Sequence, residues 1–256
     1  MDFTPSELMA VCGARELQDR LVVAVGIGLP IVAAFLAKRT HAPNMTIVFE
    51  IGVINPEPVH CGVGLADPRV WHRASVLSSF TDILGSVLHG GRVDVGFLGG
   101  LEVDQYGNLN TTLTGNPKGK FRHIIGSGGA NDIASSAKKT IIIIRHEKRK
   151  LREVISFITS PGFIKGGDSR EKAGLRGGPS RVITTKGIFG FDPETKKMML
   201  ISIHPGNTLE DVLATMSFRP LIPKQVPFTE SPTAEQLRLI REVIDPERMY
   251  MGGQEK

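Results

Sequence analysis

Short apolar runs that stop at glycine-bearing turns constrain this chain more than any other feature. Residues 21–25 run into Gly26-Ile27-Gly28-Leu29-Pro30. Residues 46–49 run into Glu50-Ile51-Gly52, residues 93–98 into Gly99-Gly100, and residues 121–125 into Gly126-Ser127-Gly128-Gly129. Each run is of strand length, and the stretches at 30–39, 80–88 and 131–137 read as helices, the first by apolar spacing and the second by its stop at Gly90-Gly91. Strands alternating with helices predict an α/β fold with a largely parallel open sheet flanked by helices. Residues 181–185, 187–191 and 198–203 follow one another as strands, so the C-terminal portion is expected to be β-rich. Helices are expected at 6–19, 208–216 and 233–244. Each opens on a threonine cap with a carboxylate or amide three residues on: Thr4 with Glu7, Thr208 with Asp211, Thr233 with Gln236. Residues 165–180, rich in glycine and charge, read as a surface loop. With no repeat and no low-complexity tract, residues 1–256 are read as a single domain, a size sufficient for a full α/β core.

Composition narrows the function classes. Of 256 residues 41% are hydrophobic and 22% charged, the balance of a soluble globular protein. No apolar stretch approaches the roughly 20 residues of a membrane span, and the opening residues lack a secretory pattern. Cys12 and Cys61 are the only cysteines. They form no Cys-x-x-Cys pair, so neither a disulfide framework nor a metal site is expected, and a cytoplasmic location fits. The net charge is +5, much of it in short clusters such as Arg145-His146-Glu147-Lys148-Arg149-Lys150. That cluster is either a solvated segment or a docking site for a polyanion such as the phosphates of a nucleotide-like cofactor. Two Tyr and one Trp, not interleaved with basic residues, argue against nucleic acid as a partner.

Chemistry concentrates at the glycine turns. Glycine allows close backbone approach and positive φ, and the N–H groups opening a helix favour negative charge. Glu50 places a carboxylate at a strand tip, where the ligand end of a parallel sheet lies. Three roles are open to it. As a ribose-binding carboxylate it would complete a dinucleotide site with Gly26-x-Gly28, but the third glycine of that pattern falls on Ile31, whose branched side chain blocks the close packing required. As a nucleophile it would attack an acyl carbon and form an anhydride, with glycine-turn N–H groups, Gly128 and Gly129 foremost, stabilising the oxyanion. As a structural residue it would close a salt bridge.

Several segments taken together resemble the β subunit of the family I CoA-transferases, in the glutaconate CoA-transferase branch. They include Gly26-Ile27-Gly28-Leu29-Pro30, Ala37-Lys38-Arg39, Ala42-Pro43 and Ile47-Val48-Phe49-Glu50-Ile51-Gly52. A second signature is Gly99-Gly100 followed by Asp104, Tyr106-Gly107-Asn108 and Asn110. A third is Gly126-Ser127-Gly128-Gly129-Ala130-Asn131-Asp132. His146-Glu147-Lys148-Arg149, Ser160-Pro161-Gly162 and Ile244-Asp245-Pro246 add to them. The likeness covers nearly the whole chain. It implies the family I CoA-transferase fold and a catalytic Glu50 that passes through a glutamyl-CoA thioester. It also implies Gly128 and Gly129 near the thioester oxygen, and a cleft for CoA and substrate lined by Gly26, Gly28, Gly52, Gly100 and Asn131. Asp104, Asn108 and Asn110 are expected to shape a turn. Coenzyme A is implied as a substrate, with no permanently bound cofactor and no metal. A homologous α subunit in an α2β2 assembly is implied as partner, and a small carboxylic acid, expected to be dicarboxylic, as acceptor. The family's commoner Ser-Glu-Asn-Gly is replaced here by Phe49-Glu50-Ile51-Gly52. Alternatives on the same scaffold are a CoA-thioester hydrolase or lyase and a non-catalytic partner subunit; a nicotinamide-dependent oxidoreductase is the alternative from another class.

Overall fold

The computed structural model describes residues 2–116 and 118–252. The chain divides into two compact units, Met1–Phe97 with Ser231–Lys256, and Leu98–Glu230.

In the first unit, α1 (Pro5–Arg15) starts at a complete capping box. Thr4 accepts from Glu7 N, and the Glu7 carboxylate accepts from Thr4 N. Strand β1 (Val22–Ala24) leads through the first glycine turn into α2 (Leu29–Arg39), of which Pro30 to Ala37 are all buried. Strands β2 (Thr46–Phe49) and β3 (Val53–Ile54) form a hairpin. Helix α3 (Pro68–Trp71), β4 (Val76–Leu77), α4 (Phe80–Asp82) and β5 (Val95–Leu98) follow. β1 lies between β2 and β5, parallel to both, while β3 and β4 extend the sheet antiparallel beyond β2. Helix α1 packs on α2. The fully buried Ile31, Phe35 and Leu36 of α2 each contribute roughly 1.5–3 kcal/mol of hydrophobic stabilisation.

The second unit opens with two small antiparallel pairs. β6 (Glu102–Val103) pairs with β7 (Leu109–Asn110), and β8 (Leu113–Gly115) with β9 (Phe121–His123). Helix α5 (Ala130–Ser136) precedes β10 (Lys139–Ile143), and α6 (Ser169–Lys172) interrupts the expected loop. Strands β11 (Pro179–Ile183), β12 (Gly187–Phe191) and β13 (Met198–Ile203) and helix α7 (Leu209–Ala214) complete it. β10 pairs with β11 in parallel, and β11, β12 and β13 run antiparallel. The expected architecture is therefore present: parallel central pairs, flanking helices and a β-rich C-terminal portion.

Besides α6, three details depart from the sequence reading. Residues 121–125 are expected to feed a sheet strand into the third glycine turn. Among the described residues β9 instead pairs only with β8, and Phe121, Arg122 and His123 are all exposed. An apolar run needs a second layer to bury it, and among the described residues none covers Phe121 or Ile125, which stay exposed. Helix α1 stops at Arg15 rather than near residue 19. Its last turn tightens through Glu16 N to Gly13 O and Leu17 N to Ala14 O, and Asp19 turns outward to accept from the backbone and side-chain amides of Asn44. Finally, the helices after Ser79 and Thr233 widen to π geometry at Ile83–His89 and Leu239–Ile244. The Thr233–Gln236 capping box is as read, and Ser79 with Asp82 forms another that the sequence reading missed. No helix among the described residues is long and apolar enough to cross a membrane.

Candidate active site

Glu50 occupies the tip of the β2–β3 hairpin rather than the strand itself. The three-residue turn Glu50-Ile51-Gly52 is closed by Gly52 N donating to Phe49 O at 3.1 Å. Gly52 has φ +115°, and a Cβ there would stand 2.1 Å from Ser78 O. Both the dihedral and the space exclude any other residue. Ser78 N in turn donates to Gly52 O at 2.7 Å, so the turn is tied to the end of β4. From behind, Lys38 at the end of α2 donates to Met45 O and to Asn55 Oδ1, each at 2.7 Å. These two acceptors flank the hairpin, and burial lowers the ammonium's pKa. Neither Ser78 nor Lys38 stands out as site-forming in the sequence, because the contacts that matter are made to groups far along the chain.

The half-buried Glu50 thus rests on a rigid support. The β1–β2 register pairs Ala24 with Val48, and Val25 N donates to Val48 O, so the Gly26 turn leaves β1 at the same end of the sheet where the Glu50 tip leaves β2. Gly28, with φ +97° and ψ −144°, is the N-cap of α2. Among the described residues no hydrogen bond engages the backbone N–H of Gly26, Ile27 or Gly28. The helix end and these free donors make the turn attractive to an anion beside the Glu50 tip. Ile31, which broke the dinucleotide pattern, is wholly buried in the first turn of α2. Four of the expected residues, Glu50, Gly26, Gly28 and Gly52, thus gather at the carboxyl ends of two adjacent parallel strands.

The other expected residues lie in the second unit. Gly128, at φ +50°, and Gly129, the N-cap of α5, have backbone N–H groups that no hydrogen bond engages among the described residues. Asn131, in the first turn of α5, donates its side-chain amide to Thr159 O at 2.7 Å and holds that helix to the following segment. Gly100 is glycine for a packing reason: a Cβ would meet Leu109 Cδ2 at 2.8 Å.

The second signature and the Ser160-Pro161-Gly162 segment form one hydrogen-bonded knot. Asp104 accepts from Tyr106 N, Asn108 N and the Asn108 side chain. Asn108 Oδ1 accepts from Gly162 N and Ile164 N. Asn110 donates to Glu102 and to Leu113 O. These buried amides and carboxylates shape a turn, as expected. His146 is likewise structural, bonded to Thr184 Oγ1 and Val212 O and stacked on Phe189. Among the described residues no group of three His, Cys, Asp or Glu is placed to hold a metal ion.

Comparison with known proteins agrees with this geometry. Residues 7–215 match the family model described as Coenzyme A transferase. The B subunit of glutaconate CoA-transferase from Acidaminococcus fermentans is 38% identical, over 98% of this chain and 96% of the relative. The B subunit of 3-oxoadipate CoA-transferase from Pseudomonas knackmussii is 36% identical, over 93% of this chain and 92% of the relative. The crystal structure of glutaconate coenzyme A-transferase from Acidaminococcus fermentans superposes with a TM-score of 0.91 at 36% identity, covering 99% of both chains. A fold that presents a carboxylate on a glycine-locked hairpin, a family match across most of the length and these relatives converge: the chain belongs to the coenzyme A transferase family, as a B subunit of the family I type.

Proposed function

We propose that this chain carries the catalytic carboxylate of an acyl-CoA:carboxylate CoA-transferase, with Glu50 as the nucleophile. The supporting observation is the hairpin tip itself: a half-buried carboxylate on a turn tied in place through Gly52, Ser78 and Lys38, at the same sheet end as the Gly26-Ile27-Gly28 turn. A Glu50 oxygen adds to the thioester carbonyl of the donor, the C–S bond breaks, and CoA leaves as thiolate with a mixed anhydride on the enzyme. The thiolate then attacks the glutamyl carbonyl, which releases the donor carboxylate and leaves a glutamyl-CoA thioester. The acceptor carboxylate reverses both steps. No proton is gained or lost overall and nothing is oxidised.

For the acyl oxygen we propose the backbone N–H groups of Gly128 and Gly129 as donors. Gly26, Gly28, Gly52, Gly100 and Asn131 complete the cleft in this reading, with all 256 residues serving as one functional domain. Gly52 and Gly100 contribute by shaping turns, since their own spaces are filled. The acceptor is a dicarboxylic acid, a reading supported by relatives named for glutaconate and 3-oxoadipate. Because those relatives are named as subunits, a homologous α subunit completes the enzyme as α2β2. CoA enters as substrate and no cofactor is retained. A cytoplasmic location fits two free, buried cysteines.

The test is intact mass spectrometry of the chain, co-expressed with its α subunit, after exposure to acyl-CoA. A CoA adduct mapping to Glu50 and missing in Glu50→Gln is expected; full transfer activity in Glu50→Gln would place the nucleophile elsewhere. Product formation only when an acceptor acid is supplied separates transfer from thioester hydrolysis.

A further inference from the structure

One cation in the second unit is buried without an anion. Arg170, in α6, is 3% exposed, inside the stretch that the sequence reads as a surface loop. Its guanidinium carries five N–H donors, and all five are used on backbone carbonyls. Nε donates to Arg176 O at 3.0 Å. Nη1 donates to Pro161 O at 2.7 Å and to Gly162 O at 2.8 Å, and Nη2 to Ala134 O at 2.5 Å and again to Arg176 O. No carboxylate pairs with it among the described residues, and burial alone pushes its pKa down to about 10. A buried charge is unfavourable unless it is paired or hydrogen-bonded, and here carbonyl dipoles take the place of the anion.

These carbonyls belong to three segments. Ala134 lies in the last turn of α5, where helix carbonyls lack a partner within the helix. Pro161 and Gly162 continue from Thr159, whose carbonyl accepts from Asn131 in the first turn of the same helix. Helix α5 is therefore fastened to residues 159–162 at both ends, directly through Asn131 and across Arg170. That segment is itself fixed: Thr159 N donates to Leu109 O at 2.9 Å and Gly162 N to Asn108 Oδ1 at 2.8 Å. The third segment also lies on the end of α5. Arg176 N donates to Ser135 O at 3.4 Å, and a Cβ on Gly177 would stand 2.1 Å from Lys138 O. Ser169 seats α6 in turn, its hydroxyl donating to Phe163 O and Gly166 O, each at 2.7 Å.

A helix of 7 residues has little stability of its own, so ties of this kind decide where it stands. Its first residue continues the turn that carries Gly128 and Gly129. The other end of that turn is pinned by Gly126 N donating to Thr111 O at 2.8 Å. The N–H groups of Gly128 and Gly129 are thus suspended between a fixed point and a helix whose far end Arg170 holds. We propose that Arg170 is a positioning residue for the transfer reaction: it fixes α5, and with it the place where the Gly128 and Gly129 N–H groups meet the thioester oxygen. This rests on the oxyanion reading of those two glycines. Lysine cannot take over the task, because its three N–H donors radiate from one nitrogen and do not span carbonyls on separate segments.

The experiment uses the enzyme co-expressed with its α subunit. Wild type is compared with Arg170→Lys, Arg170→Gln, Gly128→Val and the double variant Arg170→Lys/Gly128→Val, each checked for folding by circular dichroism. Single-turnover acylation and KM for acyl-CoA are measured well below each protein's unfolding midpoint, so that a loss of stability alone leaves both unchanged. Arg170→Lys and Arg170→Gln are expected to slow acylation by about tenfold to a hundredfold, with KM within about twofold of wild type. In the double variant the two losses should overlap, giving less than their product, because both act on the same donors. Wild-type acylation in folded Arg170→Lys and Arg170→Gln overturns the proposal, as does a raised KM with unchanged acylation. Losses that multiply in the double variant also overturn it, since Arg170 would then act away from the turn. Failure of both single Arg170 variants to fold overturns it too and makes the guanidinium a structural staple alone. Failure of the oxyanion reading looks different: Gly128→Val by itself would then acylate at the wild-type rate.

Discussion

The glycine turn after β2 and the glycine turn before α5 look alike in sequence and are physically opposite. At residues 49–52 the turn is closed by its own hydrogen bond, the glycine has positive φ, and the space a side chain would need is filled by Ser78 O at 2.1 Å. At residues 126–129 two glycines again take positive φ, but a Cβ placed on Gly126 would meet nothing within 4 Å, and Gly128 is not buried. One turn is locked by packing, which suits the aim of a reactive carboxylate. The other is open around Gly126, whose N–H donates to Thr111 O, while the N–H groups of Gly128 and Gly129 engage no acceptor among the described residues, which suits contact with a ligand. A glycine-rich signature therefore says that backbone is close to something; whether that something is protein or substrate differs between the two.

The contrast can be broken experimentally. The largest effect is expected at the locked turn's payload: Glu50→Gln should lower transfer by at least about a thousandfold with unchanged thermal unfolding, measured by coupled acyl-transfer kinetics and calorimetry. Next, Gly52→Ala should destabilise by about 2–5 kcal/mol, combining strain at positive φ with a clash against backbone, and should lower kcat because the hairpin tip must move. Urea unfolding with parallel kinetics reads both; a Gly52→Ala protein with wild-type stability would show that the turn is not locked.

The second unit carries its own pH dependence. Burial pushes His146 and His204 down to about 4 from the ordinary 6.5. Both are held neutral, bonded to Thr184, Thr229 and backbone carbonyls. Between these two values the unfolded chain binds the extra protons, so stability is full above about pH 6.5 and falls as pH drops toward 4, by up to roughly 3 kcal/mol for each histidine. Hydrogen exchange at pH 5 should therefore show earlier opening of β11–β13 than of β1 and β2, and His146→Gln with His204→Gln should flatten the difference.

The open turn should respond in activity more than in stability. Gly128→Val is expected to cost on the order of a hundredfold in kcat, with the loss in the acylation step seen by single-turnover kinetics; unchanged kinetics would remove the turn from the oxyanion role. The smallest effect is Gly126→Ala, about 1 kcal/mol of backbone strain and no clash, read from the unfolding midpoint.

Much of this molecule is legible in its sequence for local reasons. The capping boxes at Thr4, Thr208 and Thr233 are i to i+3 hydrogen bonds, and spacing alone reveals them. The buried strands read correctly because β-branched runs bounded by glycine have few other uses. Glu50 is legible as a strand-tip carboxylate for the same reason. The strand at 121–123 is legible as a strand but not in its place, because propensity speaks to extended backbone and not to which edge it joins.

Sequence by itself determined the principal helices and sheet strands, the caps at Thr4, Thr208 and Thr233, the family likeness and the carboxylate at position 50, all carried by neighbours a few residues apart. Tertiary structure alone decided that Gly52 must be glycine, since the Ser78 carbonyl that fills its space belongs to a different strand end, and that Lys38 braces the hairpin. It alone gathered backbone carbonyls from three segments around Arg170. Hydrogen bonds to backbone carbonyls have no periodicity along the chain; they exist only once loop closure has brought distant segments within reach.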